Sequence, residues 1–381
     1  MGLAVDALSF DGATDYHYGQ FPPKDIDYAR LVKKISSASA ALARYDGVLR
    51  SLHNSQLLLG PLRRKEAVIS SRIEGTIATL DEVLKYEAEE EDENIDIELL
   101  RNYRHETIEV FSYSRALNFA QREMINGLPI CSRLIASTHS KLLFFGRGAD
   151  KQPGHFKTDQ NYVIDKGRRQ VLFVPIKPSE LNAGLYKLEM FINSNNYEPL
   201  VQTALAHLEF EALHPFKDGN GRVGRMLITL MLWDRKLITA PHFYISGHLE
   251  QRRDEYIDRM RNASAHGLWT DWCEFFLEAV EAQAEENLIT AERIRRLYDE
   301  MKDEFRTTLS SKWSTVALDY VFERPVFKNN HFTAASGIPA PSAFKIPPAL
   351  VNRGLLNLIE PAAGRRPAVY GFEPLLRIVR A

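Results

Sequence analysis

Cysteine is almost missing from this 381-residue chain: Cys131 and Cys273 stand alone, which excludes a disulfide framework and a cysteine-built zinc site. No apolar run approaches the roughly 18 residues that a membrane span needs. The opening Met1-Gly2-Leu3-Ala4-Val5-Asp6 lacks a basic segment followed by an apolar core, so a cytoplasmic location without a membrane partner is expected. An excess of either charge is lacking too. Lysine and arginine number 48 and acidic residues 50, a net charge of −2 that gives no global attraction to nucleic acid or lipid. Neither an internal repeat nor a low-complexity tract is visible. With 45% hydrophobic and 26% charged residues the make-up is that of an ordinary globular protein, long enough for about two or three cores.

Hydrophobic periodicity predicts a mainly α-helical chain. Residues up to about 20 read as an extended or mobile lead, with Phe21-Pro22-Pro23 before the first helix. Helices are expected over 26–52, 62–71, 80–89, 96–118, 130–143, 179–193, 201–213, 223–233, 251–263 and 271–309. The acidic stretch from Glu87 to Asp96 reads as an exposed loop or a solvated helix end, and Gly146-Arg147-Gly148 as a turn. Two β-prone runs, Tyr162-Val163-Ile164 and Val171-Leu172-Phe173-Val174, flank a polar, glycine-containing turn and read as a hairpin.

The densest chemistry lies in His214-Pro215-Phe216-Lys217-Asp218-Gly219-Asn220-Gly221-Arg222-Val223-Gly224-Arg225, set between two apolar helical runs. Gly219 and Gly221 let the backbone turn tightly and bring N–H groups close to an anion, and the loop empties onto a helix N-terminus that favours phosphate. Arg222 and Arg225, three apart, share the first turn and can both reach phosphate oxygens. Asp218 is the one carboxylate of the loop. Beside a polyphosphate it suits Mg²⁺, which takes one or two carboxylates plus phosphate oxygens. His214 closes the preceding helix, where an imidazole can accept a proton from an incoming hydroxyl. Zinc is the competing reading, because His207, Glu211 and His214 share one helix face; it would consume His214 and leave the glycine loop without a purpose. His207 reads better as a packed or hydrogen-bonded helix residue.

The order His-Pro-Phe-x-Asp-Gly-Asn-Gly-Arg-x-x-Arg resembles the signature of the Fic family of nucleotidyl transferases at every motif position. The resemblance implies transfer of AMP from ATP to a Ser, Thr or Tyr hydroxyl of a protein, itself included. On this chain it makes His214 the general base, Asp218 the Mg²⁺ ligand, Asn220 with the Gly219, Gly221 and Arg222 amides an anion hole, and Arg222 with Arg225 the holders of the outer phosphates. Ser70-Ser71-Arg72-Ile73-Glu74-Gly75 resembles the family's inhibitory motif, with Ser70, Glu74 and Gly75 at the matching positions. The implied task of Glu74 is to pair with Arg225 in the place of the γ-phosphate; in some relatives it also positions a water that removes the AMP. The hairpin resembles the family's flap, so that Tyr162, Val163 and Ile164 align the target, although an arginine usually stands near Lys157. Tyr256 is the candidate for an adenine wall.

The tail from about Ser311 onward is locally basic and runs helix, short segment, turn, helix over Leu350–Leu356, then a hairpin over Leu358–Glu360 and Ala368–Tyr370. It resembles a winged helix-turn-helix module. Contact with DNA, through Arg365-Arg366 on the wing, and protein contact or homodimerisation are both open. The expected organisation is an N-terminal helical region with the inhibitory helix over 1–95, a helical Fic-type core with a small β-hairpin flap over 96–290, and a linker helix with the winged-helix domain over 291–381. The expected function is a self-inhibited protein adenylyltransferase that uses ATP and Mg²⁺. The rivals are a nucleotide-sensing, DNA-binding regulator and a Fic transferase with another nucleotide donor.

Overall fold

A computed structural model of the chain describes residues 8–51, 55–90, 104–144, 149–165, 167–364 and 366–380. In chain order it forms β1 (Thr14–Asp15), α1 (Tyr28–Ser51), α2 (Ser55–Ile73), α3 (Leu80–Glu90), α4 (His105–Ile125) and α5 (Ser132–Leu142). There follow β2 (Val163–Asp165), β3 (Gln170–Val174), α6 (Pro178–Ile192), α7 (Pro199–Leu213), α8 (Asn220–Asp234), α9 (Ser246–Gln251), α10 (Arg253–His266) and α11 (Trp269–Leu309). The last part holds α12 (Ser314–Glu323), β4 (Val326–Lys328), α13 (Asn329–Ala335), α14 (Ala340–Ala343), α15 (Ile346–Asn352), β5 (Asn357–Glu360), β6 (Val369–Gly371) and α16 (Glu373–Arg380). The fold is mainly helical, as expected. No helix among the described residues is long and apolar enough to cross a membrane.

Contacts group the chain into two compact units, each discontinuous in sequence: 1–43 with 115–284, and 44–114 with 285–381. In the first unit α7 and α8 pack against one another and are buried along nearly their whole length, and α6 covers α7. Helices buried all round are what a run such as Met226-Leu227-Ile228 with Leu230-Met231-Leu232 requires. A ladder of polar contacts joins the start of α1 to α11: Arg30 to Asp271 and Glu274, Lys34 to Glu278, and Ser37 to Glu281. The steps of three and four along both helices mark two parallel faces in register. The flap sheet has the order β1-β3-β2, antiparallel between β2 and β3 and parallel between β1 and β3.

That first strand corrects the reading of the N-terminus as a mere lead. Tyr16 donates to Glu209 Oε1 at 2.7 Å, His17 Nε2 meets Glu209 Oε2 at 2.7 Å, and His17 Nδ1 meets Ser264 Oγ at 2.9 Å. Glu209 is buried on α7 and Ser264 on α10, so the strap is bonded to the core through one carboxylate. Burial and the adjoining Glu209 carboxylate push the Tyr16 phenol up from its ordinary value.

The second unit holds the sheet β4-β6-β5, both pairs antiparallel, with register pairs Phe327↔Tyr370 and Leu358↔Tyr370. Phe322, Phe327, Phe332, Leu350 and Phe372 fill its core. α2 packs against α12, α3 and α16, and α3 against β4. α2 starts at Ser55 and carries Pro61 inside it, whereas the sequence placed its start at Leu62. α3 corrects a second reading: Glu87 and Glu89, taken as solvated, are ion-paired to Arg64 and Lys328. Residues 91–96 of that acidic stretch, residues 96–103 of the expected helix, and the 146–148 turn lie outside the described residues. α15 ends at Asn352, short of the expected Leu356.

Glu209→Ala should destabilise the protein by about 3 kcal/mol, because it removes the shared acceptor of two buried partners. Urea denaturation reads this, and a loss under about 1 kcal/mol would show that the strap is not tied through Glu209.

Candidate active site

His214 ends α7 in the left-handed region, at φ 45 and ψ 59. A non-glycine residue is rarely held there, and the neighbouring contacts account for it. Asn161, at the foot of the flap, donates through Nδ2 to the carbonyls of His214 and Phe216, at 2.9 Å each. Lys157 Nζ donates to the Leu213 carbonyl at 3.0 Å and to Asn161 Oδ1 at 2.8 Å, and the Lys157 amide donates to the Pro215 carbonyl at 2.8 Å. An ammonium at the last carbonyls of a helix also meets the negative end of its dipole. Burial pulls the Lys157 ammonium down to about 7.

Asn220 braces the other side of the loop. Its Oδ1 accepts from the Phe216 amide and its Nδ2 donates to the Phe216 carbonyl, both at 2.8 Å. That differs from the reading of Asn220 as an anion ligand: the side chain is engaged by the loop, and what it can turn toward an anion is its backbone N–H. Gly219 stands as the N-cap of α8 at φ 78, a conformation that suits glycine, and offers no capping side chain to the first-turn amides. The amides at the start of α8 therefore form a cradle for negative oxygens.

Around the cradle the charge is positive. Arg222 and Arg225 are 2% and 1% exposed, so two guanidiniums lie almost wholly out of water in the first two turns of α8. Asp218 is the exposed member: its Oδ1 accepts from the Gly219 amide at 2.7 Å and lies 3.6 Å from Arg222. One accessible carboxylate beside a phosphate cradle is the donor set that Mg²⁺ accepts. The His214 Nδ1 lies 3.3 Å from the Glu211 carbonyl, which can only accept. With Nδ1 donating there, a neutral ring would carry its acceptor at Nε2.

A residue that sequence reading missed is His139 on α5. The Gly154 amide donates to its Nδ1 at 2.9 Å, so Nε2 holds the proton and donates to the Asp218 carbonyl at 2.9 Å. Its ring stacks on Phe216, with centroids 3.6 Å apart and planes 5° off parallel. One imidazole thus joins the flap base, the loop and α5. Burial, with Arg222 adding to it, pulls His139 down to about 4. The only signal in the sequence was a lone histidine on the apolar face of Leu134, Ile135 and Leu142, which also fits simple packing.

His207 is hydrogen-bonded, donating from Nδ1 to the Gly224 carbonyl at 3.2 Å and accepting at Nε2 from the Tyr256 hydroxyl at 2.7 Å. Tyr256 is 3% exposed and lies against Trp272 and Phe275. Its ring faces are occupied by packing, so the expectation of an adenine wall there is replaced by a structural task. Val163 and Ile164 lie in β2, with Tyr162 just before it and set edge-on to Phe10 at 5.3 Å. β2 is an edge strand with a register shift between Val163 and Ile164. No strand of the sheet pairs with its outer side.

Ser70 is buried on α2, Glu74 is the exposed residue that follows the helix, and Gly75 is at φ 85. The Gly75 amide bonds to the Arg72 carbonyl at 2.8 Å and the Thr76 amide to the Ser71 carbonyl at 3.0 Å, a Schellman ending that makes Glu74 the cap residue.

Acid should strain the loop. The folded value of His139, about 4, lies below its ordinary 6.5, so the unfolded chain takes up that proton first. The stabilisation is complete above 6.5 and lost as pH falls toward 4, and His207, pulled down to about 3 by burial, adds in the same direction. His139→Gln should lower the urea midpoint near neutrality and flatten its decline between about pH 6.5 and about pH 4.5. An unchanged slope would show that His139 is not held neutral.

Comparison with known proteins agrees with this geometry. The profile described as Fic/DOC family N-terminal matches residues 32–122, and the Fic/DOC family profile matches 129–232. A protein named protein adenylyltransferase Fic from Drosophila grimshawi is 29% identical over 127 residues, which is 32% of this chain and 24% of that protein. The Drosophila melanogaster protein of the same name is 27% identical over the same shares. The chain therefore spans about a quarter of the length of these curated relatives. Among solved structures, a Fic family protein from Desulfovibrio desulfuricans is similar with a TM-score of 0.58 and 19% identity, covering 92% of this chain and 98% of that one. A Fic domain containing signaling protein from Bacteroides thetaiotaomicron gives a TM-score of 0.53 and 17% identity, covering 68% and 97%. At such identities the likeness is one of fold. With the two profiles, the complete motif and the shared helical architecture together, the chain belongs to the Fic family.

Proposed function

We propose that this chain is a protein adenylyltransferase that moves AMP from Mg·ATP to a Ser, Thr or Tyr hydroxyl of a protein, its own included. The observation that carries the reading is His214, turned out of its helix in the left-handed region and followed by an uncapped helix start whose Arg222 and Arg225 are buried. The hydroxyl oxygen attacks the α-phosphorus as its proton passes to His214 Nε2; the bond from that phosphorus to the bridging oxygen breaks, and pyrophosphate leaves. Arg222, Arg225 and the first-turn amides of α8 hold the phosphate oxygens, supplying positioning and charge in place of covalent help. Asp218 would hold Mg²⁺, which when bound neutralises phosphate charge. The open edge of β2 receives an extended target segment in line with His214.

Restraint by Glu74 belongs to the same proposal. The motif and the cap geometry at Gly75 support it, since the Schellman turn leaves Glu74 as the last side chain presented before the chain reverses. We read the part after Ser311 as a winged-helix module, a reading supported by its run of helix, strand, three short helices and two strands with the sheet order β4-β6-β5. The outward residues of α14 and α15 include Ala340, Pro341 and Pro348, with Phe344 between the helices 63% exposed. Such a face suits protein contact or dimerisation better than base reading. Arg365 of the proposed wing lies outside the described residues.

Incubation with ATP labelled at the α-phosphate tests the reading. Covalent label should appear, fall by at least about 100-fold in His214→Ala, and rise in Glu74→Gly. Reversible binding without covalent label would favour a nucleotide sensor, and a stronger signal from another labelled nucleotide would change the donor. Asp218→Ala should remove the metal dependence of labelling while costing about 1 kcal/mol of stability or less, since the side chain is exposed. A large fall in melting temperature without ligand would assign it a structural task.

A further inference from the structure

The inhibitory segment is built into the same compact unit as the C-terminal module. Arg64 lies on α2, six residues before Ser70. Its guanidinium makes a two-point bond to Glu87 of α3, with Nη2 to Oε1 at 2.7 Å, and donates through Nη1 to the carbonyl of Glu323 at 3.2 Å. Glu323 is the last residue of α12, so Arg64 caps a helix of the module while it clamps two helices of the N-terminal half. The side chains of Arg64 and Glu87 are 12% and 20% exposed, which removes them from most of the screening that weakens surface pairs.

α3 is tied in the same way. Lys328 of β4 meets Glu89 at 2.6 Å, with side chains 9% and 18% exposed. Arg380 of α16 meets Asp81 at 2.8 Å, and Lys85 meets Glu360 of β5 at 3.7 Å. Between α2 and α3 run Glu74 to Thr79, and α3 opens with a reciprocal cap. The Thr79 amide donates to Glu82 Oε2 at 2.8 Å, and the Glu82 amide donates to Thr79 Oγ1 at 3.2 Å. The joint that carries Glu74 is therefore short, and each helix beside it is bonded to the module. No length of slack chain lies between them to absorb a shift of α12 or β4.

We infer that the winged-helix module is the seat of the release signal, with Arg64 and Lys328 as the positioning residues through which its packing sets the place of Glu74. The inference rests on the reading of Glu74 as the inhibitor. A partner that shifts α12 or β4 loosens the Arg64 and Lys328 ties, and the α2–α3 joint follows. Occupancy of the module then changes transfer without any contact with the nucleotide. Two functions that the sequence left as rivals, regulation through the module and transfer, become input and output of one device.

The test uses the full chain with Arg64→Gln and Lys328→Gln, singly and together, in both the Glu74 and the Glu74→Gly backgrounds. Labelling from α-labelled ATP and amide hydrogen exchange over residues 66–76 are read in parallel. Labelling should rise by about 5-fold or more with Glu74 present, and no further in Glu74→Gly. Exchange over 66–76 should quicken in both backgrounds, and the swapped pair Lys328→Glu with Glu89→Lys should return it toward the wild-type rate. Unchanged exchange in folded variants overturns the coupling whatever the labelling does, and so does an equal rise in both backgrounds. Quickened exchange, with Glu74→Gly by itself labelling no more than the unaltered chain, upholds the tie but retires Glu74 as the inhibitor. Should Arg64→Gln fail to fold, Lys328→Gln and Arg380→Gln at the other end of α3 decide the matter by the same readouts.

Discussion

The candidate site depends on a helix that ends in the wrong hand. His214 takes up a left-handed backbone that costs free energy for any residue with a Cβ, and it does so between a flap and a loop that both grip its carbonyl neighbours. If α7 ran on by one more right-handed residue, the imidazole would stay with the helix face that carries His207 and Glu211. Bent out, it stands at the rim of the cradle begun by Gly219 and continued by the first turn of α8. Lys157, Asn161, Asn220 and His139 make no claim on the reacting atoms. They hold the base and the cradle in one frame, and most of the buried polar bonds around the loop belong to them.

That division of labour governs how much could be read from residues alone. The set proposed to react stands out in the sequence, because a histidine, a carboxylate, glycines and two arginines in fixed order have few purposes other than phosphate chemistry. Helices were legible where periodicity was strong, as in α7 and α8. The supporting set was not. His139 is 75 residues from His214 in the chain and reads as one polar residue on an apolar stripe. The sequence groups Asn220 with the anion hole, whereas in the fold its side-chain amide bonds the Phe216 backbone at both ends. Tyr256 misled for the opposite reason: an aromatic residue after the motif resembles a base platform, but its hydroxyl is engaged by His207 and its ring by Trp272 and Phe275. The N-terminal strap was illegible because its partners, Glu209 and Ser264, are more than 190 residues away.

Both compact units are discontinuous in sequence, and their divisions fall inside α1, α4 and α11. A linear reading looks for linkers rich in proline, glycine or polar residues, and a boundary within a continuous helix leaves no such mark. The acidic run after Leu84 illustrates the same difficulty. Its charges suggested a solvated end, yet Glu87 and Glu89 face Arg64 and Lys328 from distant parts of the chain. Like charges in a row look repulsive until the partners that neutralise them are known.

The flap sheet has one further implication. In the order β1-β3-β2 the inner strand is covered on both sides, while β2 leaves one row of amides and carbonyls unmatched by any strand of the sheet. Main-chain groups are common to every polypeptide, so a segment zipped onto that row is held by its shape, with little regard for its letters. Discrimination among would-be acceptors must come from outside the strand. In the proposed transfer it falls to whichever proteins can offer a slack, unpaired stretch, while the irregularity between Val163 and Ile164 breaks the register against β3, so that an added segment pairs evenly on only one side of it.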